Sequence, residues 1–219
     1  NKMGLLPSKE GNPFRDCILN GLRASGLNFT NKKLPNQDDL ALVLRRFVMP
    51  TDFSYAIRSM YNGYPYHVGV LYEGNVYNYM PELNDALDCD MKNSINIDTL
   101  RCFKKVADTE IYYITNDGIE RSQIKSRLIH FARIKAGQLT VRQFNSIYGT
   151  GLGEYYNLFL NNCEHVANSI LTGKNFSCQE ELIDNDIKYY WPMVQEYKCQ
   201  MPLFAQVWIN EYEEVMMKK

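Results

Sequence analysis

Apolar positions along this chain follow two spacings, and the switches between them outline its elements. The apolar-rich stretch from Leu40 to Val48 predicts a strand. Alternation through Tyr64 to Pro81, interrupted by Glu73-Gly74-Asn75, predicts a hairpin that turns at the glycine. Further strands are expected near Ile95 to Phe103, within Asn93 to Ala107, and at Glu110 to Thr115, followed by a turn at Asn116-Asp117-Gly118. Helical spacing takes over from Ile119 to Ala136, where Ile124, Leu128, Phe131 and Ala132 share one side and Gly137 marks the end. Shorter helices are expected over Phe14 to Ala24 and over Asp52 to Tyr61, the second capped by Thr51 or Asp52. Val141 to Leu160 reads as helical or mixed, broken by Gly149, Gly151 and Gly153. A closing helix over Leu203 to Met217 lines up Phe204, Trp208, Tyr212 and Val215, a stripe better suited to docking on the parent domain than to a membrane surface.

One helix stands apart because its apolar stripe begins with a thiol. In NNCEHVANSIL, Cys163, Val166, Ala167, Ile170 and Leu171 fall on one side at helical spacing. Asn161 and Asn162 are good N-caps, Glu164 suits the positive end of the dipole, and Gly173 is placed to end the helix. A thiol among unpaired N–H groups is expected to have a lowered pKa, which a nucleophilic cysteine needs. A cysteine on an apolar face is more often packing than chemistry, so the case depends on a partner base.

Three histidines are available. His165 lies two positions along the same helix, about 200° around its axis, and points away from the thiol, where it is expected to buttress neighbouring groups. His130 falls toward the polar side of its helix and is expected at the surface. His67 remains, on the first strand of the hairpin, where alternation sets Tyr66, Val68, Val70 and Tyr72 on one face and His67, Gly69 and Leu71 on the other. Gly69 clears space beside the imidazole for another element. A two-residue loop at Glu73-Gly74 places Asn78 on the face of His67, whereas a three-residue loop places Tyr79 there. Asn78 is the preferred partner, since its carbonyl accepts from an imidazole N–H and fixes the tautomer.

Composition narrows the classes. With 24 basic and 25 acidic residues among 219, nothing in the overall charge attracts nucleic acid. No run approaches the roughly 18 apolar residues of a membrane span, so membrane contact is expected to be peripheral at most. Six cysteines, Cys17, Cys89, Cys102, Cys163, Cys178 and Cys199, show no metal-ligand spacing, and reserving one as a nucleophile leaves five, an awkward number for a disulfide framework. A reducing, cytoplasmic setting is expected, possible membrane association aside. Neither a cofactor nor a metal is expected, for the chain has no phosphate-binding glycine loop.

These residues resemble a known family. HVGVLYEGNVYNYMP is similar to the HxGIYxGxxxVxHxxP segment of lecithin retinol acyltransferase-like proteins, and NNCEHVANSILTG to their NCEHFVxxLRYG box. HFARIKAG is similar to the helix before that box, Phe131 aside. The resemblance spans roughly Leu40 to Gly173, with an insertion around Gln138 to Glu154. It implies an α+β, circularly permuted papain-like fold of the NlpC type, an antiparallel sheet packed on a helix that carries the nucleophile at its N-terminus. It also implies Cys163 as nucleophile and His67 as general base. Aligned on Pro81, Asn78 stands where the acyltransferases have a second histidine, and Val166 replaces an aromatic residue of the box. The chain is expected to divide into an N-terminal extension (1–38), a catalytic core (39–174) and a C-terminal helical extension (175–219). The expected function is a thiol-dependent acyltransferase or phospholipase passing an acyl chain from a lipid through Cys163, with Asn78 orienting His67. Alternatives are a cysteine peptidase or amidase of the same superfamily, and an inactive interaction module that keeps the fold.

Overall fold

A computed structural model describes residues 11–35, 37–47, 63–80, 91–157 and 160–182, with isolated positions between 192 and 214. The helix expected over Asp52 to Tyr61, Cys89, and the Phe204, Trp208, Tyr212 and Val215 stripe lie outside the described residues. The fold is α+β. Six antiparallel strands, β1 (Phe29–Thr30), β2 (Ala41–Arg46), β3 (Tyr66–Tyr72), β4 (Asn75–Tyr79), β5 (Ile95–Thr99) and β6 (Thr109–Ile114), form one sheet in the order β1-β6-β2-β3-β4-β5. The helices are α1 (Pro13–Ala24), α2 (Met91–Ser94), α3 (Leu100–Lys104), α4 (Gly118–Lys135), α5 (Val141–Tyr148) and α6 (Cys163–Thr172).

The two faces of the sheet are covered unequally. Leu42, Leu44, Val68 and Val70 point into the main core, together with Phe14, Ile18 and Leu22 of α1, Ile124, Leu128 and Phe131 of α4, and Val166, Ala167 and Ile170 of α6. Each such fully buried aliphatic or aromatic side chain is worth about 1.5–3 kcal/mol in transfer terms. On the opposite face a smaller cluster, Ala41, Val43, Leu71 and Val76, packs under Phe103 of α3. Residues before 39 take part in this packing: α1 contributes to the main core and β1 pairs with β6 at one edge of the sheet. No helix among the described residues is long and apolar enough to cross a membrane.

The β3–β4 hairpin turns through Glu73 (φ 50) and Gly74 (φ 75), a two-residue loop with both residues left-handed, as strand twist favours. Asp39 fixes the turn by accepting from the N–H groups of Glu73 at 2.7 Å and Gly74 at 2.6 Å. The resulting register sets Leu71 opposite Val76 and Gly69 opposite Asn78. The strand expected from Ile95 to Phe103 is corrected: it stops at Thr99, whose hydroxyl accepts from Cys102 N–H and starts α3, so Phe103 is helical and lies over the smaller cluster.

Both ends of α6 are built as its sequence anticipates. Asn162 caps the start, accepting from the N–H groups of Glu164 and His165, and Gly173 (φ 75) ends it in the left-handed conformation. Arg127 of α4 donates to the carbonyls of Ile170 and Leu171, placing a cation at the negative end of the helix dipole. The expected single apolar stripe understates its burial, because every residue from Cys163 to Leu171 is buried. Segment 174–180 covers the polar side and meets most of its polar groups. Ser169 donates to Lys174 O and Asn168 to Phe176 O, while Glu164 accepts from Ser177 Oγ and from the N–H groups of Cys178 and Gln179.

Candidate active site

The β3–β4 ladder ends at the pair Gly69 and Asn78. One residue further along β3, Val68 N–H donates instead to the Cys163 sulfur at 3.5 Å. The next group along that edge, Tyr66, is taken by the Gln179 side chain, which accepts from its N–H at 2.7 Å and donates to its carbonyl at 3.0 Å. Residues 163–179 thus complete the edge that β4 leaves open, with a thiol and a carboxamide standing in for backbone. The cause lies in α6: Glu164 grips the backbone of 178 and 179, which brings Gln179 back onto β3 beside Cys163.

His67 shares this seam but belongs to the other face. Its ring stacks on Phe103 with centroids 5.7 Å apart, whereas Cys163 is part of the main core. His67 Nε2 lies 2.9 Å from Asn78 Oδ1. The direction of that bond follows from the next one, since Asn78 Nδ2 donates to Asp98 Oδ2 at 2.9 Å and to Asn96 O at 3.3 Å. A carboxylate only accepts, so the Asn78 amide is fixed with its oxygen toward the ring, and Nε2 must carry the hydrogen. The lone pair of the neutral imidazole is then on Nδ1, which is buried and makes no hydrogen bond. His67 and Asn78 are therefore brought together directly. Cys163 is joined to the backbone of the residue after His67, and no hydrogen bond links its thiol to Nδ1.

Electrostatics reverse one expectation. Burial pushes the Cys163 thiol up to about 12, outweighing the Val68 N–H bond that favours the thiolate, and neighbouring Glu164 adds to the rise. The lowered pKa expected from the helix N-terminus is thus corrected: with 6% of Cys163 exposed, desolvation wins. His67 moves the opposite way, down to about 4, through burial first and the Arg45 guanidinium second, with the Asn78 bond opposing. The resting pair is a neutral thiol and a neutral imidazole. The N–H groups of Glu164 and His165 are occupied by the Asn162 cap, so at the helix N-terminus the Cys163 amide is the candidate to face an oxyanion.

The remaining histidines have structural tasks. His165 Nδ1 accepts from Asn162 N–H and its Nε2 reaches Glu180 at 3.0 Å, the buttressing role expected of it. His130 is half-buried rather than on the surface, with Nδ1 2.6 Å from the Tyr148 hydroxyl. Tyr79, the alternative partner for His67, lies on the main-core side and packs on Tyr156 at 5.1 Å.

Sequence reasoning missed Asp98, Arg45, Phe103 and Gln179. Asp98 was legible in principle, because extending the hairpin parity across β5 sets it opposite Val76, on the face of His67. Arg45 is the direct cross-strand partner of His67. Gln179 carried no local sign, since its partner is 113 positions away. Comparison with protein-family models, with curated proteins and with solved structures found no match to this chain.

Proposed function

We propose that this chain is a thiol-dependent acyl-transfer enzyme of the lecithin retinol acyltransferase-like kind, built on a permuted papain-like arrangement. The observation that carries the reading is the His67–Asn78–Asp98 chain, which leaves a buried, unpartnered base nitrogen one residue from the peptide amide that holds the Cys163 sulfur. Thiol, imidazole and carboxamide are the groups of a Cys-His-Asn site. Hydrogen bonds of such sites are often long before substrate binds and tighten with it. In the proposed reaction, Nδ1 of His67 takes the thiol proton as sulfur attacks an ester carbonyl. The Cys163 N–H donates to the oxyanion, and His67 returns the proton to the departing alcohol. Water, an amine or an alcohol, deprotonated by the same nitrogen, then releases the acyl group. Asp98 acts through Asn78 as a positioning residue.

Incubation with a short-chain phospholipid followed by intact-mass measurement tests the reading. An acyl adduct lost in Cys163→Ala supports it; no adduct and no lipid hydrolysis dependent on Cys163 sinks it. With an amide or peptide substrate, the same adduct assay addresses the peptidase alternative. A binding module without catalysis is the reading favoured by the raised thiol and the missing thiol–imidazole bond. Iodoacetamide alkylation of Cys163 that responds neither to substrate nor to removal of His67 would select it.

A further inference from the structure

Cys17 and Cys178 are two thiols that the proposed reaction does not use and that the fold nonetheless brings together. Cys17 lies on α1, and Gly21 follows four positions on, one turn later on the same side of the helix. A Cβ at Gly21 would come within 2.2 Å of Cys178 Sγ and 3.3 Å of the Phe176 ring, so the Cys178 sulfur is seated against α1 in the notch that Gly21 leaves. Side-chain positions one turn apart on a helix are about 5–6 Å from each other, so the sulfur lies beside the next side chain up the helix, which is Cys17. Cys17 Sγ is turned toward the preceding turn, where it donates to Phe14 O at 3.1 Å. A rotation about its Cα–Cβ bond, with a small shift of segment 174–180 along α1, completes the approach that a disulfide needs. Both thiols are free and only partly buried.

Cys178 also sits where segment 174–180 is fastened to its surroundings. Its N–H donates to Glu164 of α6 at 2.8 Å, its sulfur meets α1, and the next residue, Gln179, completes β3 beside Cys163. These attachments run through side chains rather than a continuous ladder, so the segment is the part of this region that opens at least cost. Burial first and the Glu164 charge second push both thiols up, that of Cys178 to about 12. A dithiol that gains nothing from ionisation is a weak competitor for its own disulfide, which is then the more stable form once made.

We infer that Cys17 and Cys178 are a redox modification site, forming a reversible disulfide that latches segment 174–180 onto α1 and keeps Cys163 covered. The inference deepens the proposed function, naming a control on the same thiol, and rests on that reading for its use. The oxidant is a low-molecular-weight disulfide. Cys178, as thiolate, attacks one of its sulfurs and expels a small thiolate, which takes up the proton that Cys178 gave to solvent. Cys17, as thiolate, then attacks Cys178 Sγ, and the second small thiolate leaves and is protonated in the same way. One small disulfide is reduced to two thiols as the protein dithiol is oxidised, and a dithiol reductant reverses the exchange.

Oxidised glutathione tests the latch on the full chain. After incubation, blocking of the remaining thiols and digestion, mass spectrometry should find a Cys17–Cys178 peptide pair that dithiothreitol separates and that is missing from Cys17→Ser. Iodoacetamide alkylation of Cys163 should be roughly fivefold to tenfold slower in the oxidised wild type than in the reduced one. In Cys17→Ser, oxidised glutathione should leave that rate unchanged. Cys178→Ser carries the same two expectations, so a folding failure of one variant leaves the other to decide. Absence of the cross-link, including a glutathione adduct that stays on Cys178, overturns the site, and a cross-link that leaves Cys163 alkylation unchanged overturns its hold on the thiol. Slowed alkylation in a chain that forms no acyl adduct would leave the latch standing and remove the proposed reaction.

Discussion

The two ends of the β3–β4 hairpin are held by very different parts of the chain. At the turn, Glu73 and Gly74 connect neighbouring strands and Asp39, 34 and 35 positions away on the approach to the adjacent strand β2, holds both amides. At the open end, β3 is completed by Cys163 and Gln179, which lie 95 and 113 positions from their partners. The turn is regular backbone pairing, and its geometry follows from the twist of the strands. The open end is irregular, with side chains from one distant segment filling in for a strand, and it is there that the thiol, the imidazole and their supporting groups gather. Irregular pairing lets side chains, rather than backbone, meet the edge groups, and this is how a thiol and a carboxamide come to lie beside the His67 strand.

The sharpest way to break this comparison is to remove the proposed base at the open end. His67→Gln should lower acyl transfer by about 10³-fold or more, since nucleophile and base act as a unit. Turnover of a short-chain phospholipid ester measures it; a loss below tenfold would show that the open end is only structural.

The same variant carries a pH signature. His67 sits near 4 against an ordinary 6.5, so between those values the unfolded chain binds a proton that the folded chain does not. Stability present above pH 6.5 is therefore lost as pH falls toward 4, by roughly 3 kcal/mol from this group. Urea unfolding at pH 7 and pH 4.5 should show a smaller acid loss in His67→Gln than in the wild type. Equal losses would mean that the imidazole is not held neutral by its surroundings.

Gln179→Ala tests the stand-in strand. It strips the Tyr66 N–H and carbonyl of their partner, two backbone groups at a buried position, and should cost about 2 kcal/mol in urea unfolding. Because Tyr66 precedes His67, acyl transfer should fall as well. Asp98→Asn is milder. It removes the carboxylate that fixes the Asn78 amide, so Asn78 can turn its nitrogen toward the ring and compete for the wrong tautomer. A roughly tenfold fall in kcat with a shifted pH profile and nearly unchanged stability is expected. A fall explained entirely by lost stability would reduce Asp98 to a structural residue.

How much could be read in advance follows the same division. The hairpin and its turn at Gly74 were legible, because alternation and turn chemistry act over a few residues; parity alone leaves the loop at two or three residues, and the preference for Asn78 as the partner of His67 matches the two-residue register observed. The N-cap of α6 at Asn162 and its end at Gly173 were legible too. The lowered thiol pKa was not, because it depends on how deeply the helix N-terminus is buried, and residues 174–180, which bury its polar side, carry no periodic pattern. The strand run to Phe103 failed for a related reason: Thr99 as an N-cap competes with strand propensity, and only the packing of Phe103 on the sheet decides between them.

The smallest expected effect comes from the turn and serves as the control for the rest. Gly74 has φ 75, and a Cβ added there meets nothing within 4 Å, so Gly74→Ala changes backbone strain and little else. An L-residue in the left-handed region costs about 1 kcal/mol. The ladder from Tyr72 to Gly69 lies between that strain and the seam at Val68, and the Asp39 bonds to the turn amides resist any slip in register. Urea unfolding should therefore record the loss while the alkylation rate of Cys163 and acyl transfer stay at wild-type values. If a strained turn slowed the chemistry as much as Gln179→Ala does, the two ends would be one mechanical unit, and the chemistry would depend on the whole hairpin rather than on the segment that completes its open edge.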